Sequence, residues 1–451
     1  MLQAVETTER YRAVGARQVL QDERFQALSA EVRRGVEVLS HVLPFRTNRY
    51  VLDLVDWSAA PDDPIFQLTF PQHGMIEDEE YRRLGDLVDR GAGAAEIRAV
   101  VDSVRLRMNP HPAGQKTHNV PRLGGRPLEG LQHKYRETVL YFPAQGQTCH
   151  AYCTYCFRWP QFVGMPGLKF EARASNDLLA YLAAHHEVSD VLVTGGDPMV
   201  MKTAAMRGHL EALLAPEYEH VQSIRIGSKA LAYWPQRFVT DDDADDLLRF
   251  LEQIVAAGRH VAFMAHFSHP RELASDLVRQ AIARIRATGA EIRMQAPLVR
   301  RVNDDPAIWA EMWRTGVRLG LVPYYMFVER DTGPKNYFEV PLARAYQIYR
   351  GAYEQVSGLA RTVRGPSMSA LPGKVRVLGV QTIQGERVFV LDFIQARNPH
   401  WVRRPFFAKF SRRATWFDQL VPAFGENRFF FDGVRERTAE ERRLLALPVA
   451  S

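Results

Sequence analysis

Six times between residues 138 and 327 a short run rich in β-branched and aromatic residues is followed by a stretch with helical periodicity, and few architectures accept that rhythm. The strand-like runs occupy residues 138–143, 191–194, 223–228, 260–265, 291–296 and 321–327. Helical stretches start near Asn176 and recur over 203–215, 241–257, 270–288 and 306–319. Such alternation predicts parallel strands joined by right-handed crossovers, and near-continuous apolar strands fit a sheet covered by helices on one side and curved around a site. The expected class is α/β, an open partial (βα)6 barrel of the TIM type. A 451-residue chain with 46% hydrophobic residues can bury such a core as one large domain with extensions.

Residues 1–125 read as a helical N-terminal extension, with charged helical segments over 23–43 and 77–108, closing in a Pro/Gly-rich loop over 109–130 and carrying no catalytic motif. Residues 126–330 make the barrel. Residues 331–451 form a C-terminal α+β accessory region, with a helix near 342–358 and a hairpin whose strands, 375–379 and 387–392, flank Gln384-Gly385-Glu386.

All three cysteines fall within eight positions, Cys149, Cys153 and Cys156, a CxxxCxxC cluster just after the first strand. Thiolates select zinc, copper(I) or iron–sulfur clusters. Buried small hydrophobes, a redox pair with a spare thiol, or zinc ligands completed by His150 are the plainer readings. A structural zinc site normally needs a fourth soft ligand, and the chain has no other cysteine. Three thiolates on a [4Fe-4S] cubane instead leave one iron open to an outside ligand, and S-adenosylmethionine (SAM) is the usual candidate for this spacing. The three cysteines fit a reducing compartment, and the chain shows neither an N-terminal apolar stretch nor an apolar run near 18 residues, so the cytoplasm is expected.

In a parallel sheet of this kind chemistry gathers where strands end. Gly195-Gly196-Asp197 follow the second strand, Gly227-Ser228-Lys229 the third, His266 the fourth, Gln295 closes the fifth, and Glu329 to Asp331 follow the sixth. Singly each is ordinary; together they point to one cavity.

The chain resembles the lysine 2,3-aminomutase family of radical SAM enzymes, as a divergent member. The likeness is carried by His133-Lys134-Tyr135-Arg136, CHAYCTYCFR over 149–158, Val193-Thr194-Gly195-Gly196-Asp197, and Ile224 to Ser228 with Pro235-Gln236-Arg237. It continues through His266-Phe267-Ser268-His269-Pro270, Met294-Gln295, Val302-Asn303-Asp304 and Pro323-Tyr324-Tyr325. The resemblance implies a radical SAM barrel in which Cys149, Cys153 and Cys156 hold a [4Fe-4S] cluster that chelates SAM. It sets Tyr155 against the adenine, and Gly195, Gly196 and Asp197 at the amino group of SAM. Ser228, His266 and Gln295 complete the cofactor site, the last two near the ribose and methionine portion. SAM cleavage then yields a 5′-deoxyadenosyl radical that takes hydrogen from the substrate.

In that family pyridoxal 5′-phosphate (PLP) holds the substrate amine while an amino group moves between adjacent carbons. Lys374, in Pro372-Gly373-Lys374, is the candidate PLP anchor, although Ser369, Ala370, Leu371 and Pro372 stand where the family has a run of glycines. Arg158 matches the arginine that binds the substrate carboxylate, a task suited to a guanidinium fork. Lysine-specific members hold the far ammonium with two aspartates. Asp304 keeps the first, but Arg330 stands at the second, with Asp331 one residue along. Trading an anion for a cation argues against lysine and for an α-amino acid or related small amine whose far end is neutral or acidic.

Expected partners are a small amino acid or amine, an electron donor such as flavodoxin or ferredoxin, and further copies of the chain. No membrane is expected. The net charge of +6 comes from 58 basic and 52 acidic residues spread along the chain. Its one suggestive patch, residues 401–413, interleaves aromatic and basic side chains as single-strand nucleic-acid binders do. Aromatics packing inward with snorkelling arginines explain the same pattern, and nucleic acid is not the expected partner. Two other activities remain open: a PLP-independent radical SAM enzyme (epimerase, dehydratase or another rearrangement of a small amine), and a modifier of protein or RNA.

Overall fold

The computed structural model describes residues 10–109, 119–165 and 167–433. Part of the expected 109–130 loop and the end of the C-terminal region therefore lie outside the described residues. An eleven-stranded sheet organises the molecule: β1 (Leu131–Tyr135), β2 (Thr138–Tyr141), β3 (Asp190–Val193), β4 (Ser223–Ser228), β5 (His260–His266), β6 (Glu291–Leu298), β7 (Val322–Val328), β8 (Arg364–Ser369), β9 (Gly373–Ile383), β10 (Glu386–Ala396) and β11 (Phe406–Lys409). The strands lie side by side in chain order. β2 through β8 are parallel, whereas β1 and β9 to β11 are antiparallel additions at the two sides.

Five crossover helices return the chain between β2 and β7: Asn176–Ala184, Thr203–Leu210, Ala244–Ala256, Asp276–Ala287 and Pro306–Arg318. A sixth, Leu342–Glu354, leads to β8. That strand was absent from the sequence reading because it carries Gly365-Pro366, and proline donates no ladder hydrogen bond; the β7–β8 register shifts where it sits. The expected hairpin is present as β9 and β10, joined through Gln384 and Gly385, both with positive φ as a two-residue hairpin turn requires.

β4 departs from the expected continuous apolar strand. Ile224 and Ile226 are fully buried under the helices, while Ser223, Arg225 and Gly227 alternate onto the other face and are partly accessible. That inner face is polar: Arg225 Nε donates to Asp190 of β3 at 2.7 Å. The sheet also bends far enough for Lys134 of β1 to hydrogen-bond the carbonyl of Ala370, between β8 and β9.

The main core joins the crossover helices to N-terminal helices that include Ala30–Leu39, Asp78–Asp89 and Ala94–Met108. A second core lies between β8–β11 and the segment carrying Trp416, Phe417, Phe429 and Phe431. Within the 401–413 patch, Trp401 packs on Phe393 and Phe430, Phe406 is buried, and Arg387 of β10 covers Phe410 at 3.9 Å. Among the described residues no helix is long and apolar enough to cross a membrane.

Candidate active site

The cysteine loop leaves β2 and is clasped by the N-terminal region, for which the sequence offered no role. Arg46 Nη1 donates to the carbonyl of Cys149 and to Thr148 Oγ1, both at 3.1 Å, and its own carbonyl accepts from Tyr152 N–H at 2.9 Å. Thr154 binds the carbonyls of Gln67 and Leu68, and Tyr11 donates to the carbonyl of His150. Such main-chain contacts leave no sequence motif.

All three cysteines are free and partly accessible. Burial pushes their thiols up, Cys153 to about 11 and Cys156 to about 12, and each is raised further by a neighbouring cysteine or acidic group. Three soft donors crowded on one short loop suit an iron–sulfur cluster in donor chemistry. Among the described residues no group of three or more His, Cys, Asp or Glu side chains is placed to hold a metal ion.

Asp197 is the centre of the strand ends. Its buried carboxylate accepts from His150 Nε2 at 3.1 Å, Ser228 Oγ at 2.8 Å, Lys229 N–H at 2.8 Å and Met199 N–H at 2.9 Å. Burial alone would raise its pKa, but these bonds, led by that from His150, hold it below the ordinary carboxylate value. The carboxylate thus ties the cysteine loop, through His150, to the ends of β3 and β4. Gly195 and Gly196 serve the same junction: a Cβ on Gly195 would lie 2.2 Å from Gln147 Nε2, and one on Gly196 2.3 Å from the carbonyl oxygen of Thr148.

Tyr155 is buried with its hydroxyl 3.1 Å from Ser268 Oγ. His266 ends β5, and Gln295 Nε2 donates to its Nε2 at 2.9 Å. Burial, with nearby Lys229, takes the imidazole down to about 4, so it is neutral. Gln295 sits inside β6, which runs on to Leu298, rather than at its end. A buried ion pair missed from sequence, Lys229 Nζ to Glu272 Oε1 at 2.7 Å, closes this side.

Arg158 is buried, and no carboxylate among the described residues pairs with it. Its Nη2 donates to Gln147 Oε1 at 3.1 Å and Gln161 Oε1 at 2.6 Å, its guanidinium lies 4.5 Å from the Phe142 ring centre, and its Nε is buried without a partner among the described residues. Burial brings its pKa down to about 10.

Lys374 is not in a loop: it lies in β9, opposite Ser369 and Gln395. Its Nζ sits 4.3 Å from the Tyr325 ring centre, and burial, with Arg225 and Arg364 beside it, brings the amine down to about 7. A half-buried amine with a lowered pKa, flanked by two guanidinium groups, fits a PLP anchor. Arg364 itself stacks on Tyr324 and Tyr325.

Arg330 lies between the rings of Phe157 and Trp416, at 5.5 and 5.6 Å. Asp304 stands apart from it. Its carboxylate takes Arg301 N–H at 3.1 Å and makes no hydrogen bond or ion pair with Arg330, Arg158 or Lys374. The structural member of that motif is Asn303, fully buried and bonded to the carbonyls of Ser268 and Pro297.

Comparison with known proteins gives the same direction. A protein of Aquifex aeolicus named "Putative L-lysine 2,3-aminomutase" is 30% identical over 411 residues, covering 91% of this chain and 96% of the relative. The chain belongs to the lysine 2,3-aminomutase family of radical SAM enzymes. Two further family members are the L-lysine 2,3-aminomutases of Escherichia coli, 31% identical over 55% of this chain and 70% of the relative, and of Haemophilus influenzae, 28% over 56% and 72%. A radical SAM methyltransferase structure from Sphaerobacter thermophilus aligns with a TM-score of 0.36 at 16% identity, covering 52% of this chain and 68% of that one. No family model matches the chain.

Proposed function

We propose that this chain is a SAM- and PLP-dependent aminomutase that shifts the amino group of an α-amino acid between adjacent carbons, working inside a partial (βα)6 barrel. The observation that carries the reading is Lys374, whose half-buried amine lies 4.3 Å from the Tyr325 ring centre with its pKa lowered to about 7, on the same sheet whose strand end bears the three-cysteine loop. When bound, SAM on a [4Fe-4S] cluster supplies a 5′-deoxyadenosyl radical, and PLP supplies a conjugated system that carries the migrating amine.

Cys149, Cys153 and Cys156 would hold the cluster, on a loop kept in place by Arg46, Thr154 and the His150–Asp197 bond. Tyr155, Ser228, His266, Gln295 and the backbone of Gly195 and Gly196 would line the SAM site, with His266 neutral and oriented by Gln295. Asp197 contributes by position, since its oxygens are engaged by protein donors. Arg158 would take the substrate α-carboxylate through its guanidinium, whose Nη2 is steadied by the oxygens of Gln147 and Gln161. Lys374 would hold PLP, its amine being about half neutral near pH 7. Asp304, the family's position for the substrate's far end, has its carboxylate engaged by Arg301 N–H.

The test is anaerobic reconstitution of the full chain with iron, sulfide, SAM and PLP, followed by incubation with a panel of L-amino acids. The expected result is a β-amino acid product that Lys374→Ala abolishes while SAM cleavage persists. Product formation by that variant would sink the proposal.

A further inference from the structure

A buried chain of hydrogen-bond donors runs from the end of β4 to the cysteine loop. Lys229, just past β4, sits between the Tyr233 ring, whose centre is 4.3 Å from Nζ, and the fully buried Glu272, whose Oε1 accepts from it at 2.7 Å. The other carboxylate oxygen takes the N–H groups of Ser268 and His269. Lys229 Nζ also reaches Ser268 Oγ at 3.4 Å, and that oxygen lies 3.1 Å from the Tyr155 hydroxyl. Ser268 is fixed from the far side as well, since its carbonyl accepts from the buried Asn303 Nδ2 at 2.9 Å.

The direction of donation follows from the groups themselves. An ammonium only donates, so Ser268 Oγ accepts from Lys229 and its own O–H is left for the Tyr155 oxygen. The Tyr155 proton then points on to Cys153, two residues back in the loop. Burial pushes the Cys153 thiol up, but Lys229 and the hydrogen bond from Tyr155 act against burial and favour the thiolate, with Lys229 outweighing its own counter-ion, Glu272. Cys149 and Cys156 have Arg158 as their nearby cation instead.

Charge and hydrogen bonds at the sulfur are levers on an iron–sulfur potential, because both favour the extra electron of the reduced state. A chain of donors with a cation at its far end polarises every bond in it toward the thiolate. We propose that Lys229, positioned by Glu272, raises the reduction potential of the cluster from its Cys153 side, acting through Ser268 and Tyr155. This assignment rests on the radical SAM reading above and concerns the one-electron reduction of the cluster by an external donor, which loses the electron that the cluster gains. Lys229, Glu272 and Ser268 are positioning residues here; no proton changes place and no bond breaks.

The experiment measures the midpoint potential of the full chain, reconstituted anaerobically with iron and sulfide, by a mediated redox titration with the reduced cluster counted by electron paramagnetic resonance. Tyr155→Phe keeps the ring and deletes the donor. Lys229→Met/Glu272→Gln removes the pair without stranding either charge in the interior. Both should lower the potential, the double variant by about 59 mV, a tenfold change in the one-electron equilibrium. Glu272→Gln alone should raise it, because Lys229 then acts without its counter-ion, and Lys229→Arg should stay near the unaltered value. Unchanged potentials in Tyr155→Phe and the double variant overturn the inference and leave the radical SAM reading standing. A fall in Glu272→Gln overturns it too, since loss of packing would lower every variant alike. If the double variant takes up no cluster, the opposite signs expected of Tyr155→Phe and Glu272→Gln decide the matter. Unaltered protein that binds no iron and sulfide sinks the radical SAM reading and this inference with it.

Discussion

Two clusters of buried polar groups flank the cysteine loop and are built on opposite plans. Around Asp197 four protein donors meet one carboxylate, and glycines let the backbones of residues 146–148 and 195–197 approach to contact. Around Arg158 and Arg330 two guanidinium groups are packed against rings, each with a buried Nε that no acceptor among the described residues reaches. A network satisfied from within holds shape, whereas donors left unanswered in a low-dielectric space are the ones a ligand completes. The contrast teaches which residues to test by stability and which by binding.

The largest effect belongs to the loop both clusters serve: Cys153→Ala should reduce bound iron and acid-labile sulfide to background and abolish SAM cleavage. Next comes the open side. Lys374→Ala should abolish amino-group migration while 5′-deoxyadenosine still forms. Because the amine is neutral above about 7 and protonated below, PLP capture followed by absorbance should rise as pH climbs through that value and then level off. The folded pKa lies below the unfolded one, 10.5, so this lysine costs stability fully below about 7 and ever less toward 10.5. Lys374→Met should therefore raise Tm most at the acidic end; a gain that grows with pH would refute the assignment.

On the satisfied side, Asp197→Ala strands Ser228, His150 and the Lys229 N–H, and should cost about 3 kcal/mol in denaturant unfolding, with lower iron loading. If that variant instead folds and loads normally while only its SAM affinity falls, Asp197 is a ligand residue and the contrast dissolves. Gly196→Ala, which drives a methyl into the carbonyl of Thr148, should cost roughly 1–3 kcal/mol and disturb cluster loading. Least affected should be Arg404→Ala, which removes only a guanidinium 4.2 Å from the ring centre of Phe430, with a change below about 1 kcal/mol and full activity.

The six expected strands and their parallel order were legible because strand and helix periods are local properties of a dozen residues, and 223–228 matches β4 residue for residue. The CxxxCxxC spacing and the strand-end positions of Asp197, Ser228 and His266 were legible for the same reason. β8 was hidden by Gly365-Pro366, whose strand character comes only from pairing with β7. Likewise nothing local says that Lys374 faces inward, that Gln67 and Arg46 clasp the cysteines, or that Asp304 turns to its own backbone while Asn303 is buried. The amino-acid order by itself determined the alternating frame and its soft-ligand loop. Tertiary structure alone decided which charges are answered and which are not, because burial and hydrogen-bond partnership depend on segments more than a hundred residues apart being folded against one another.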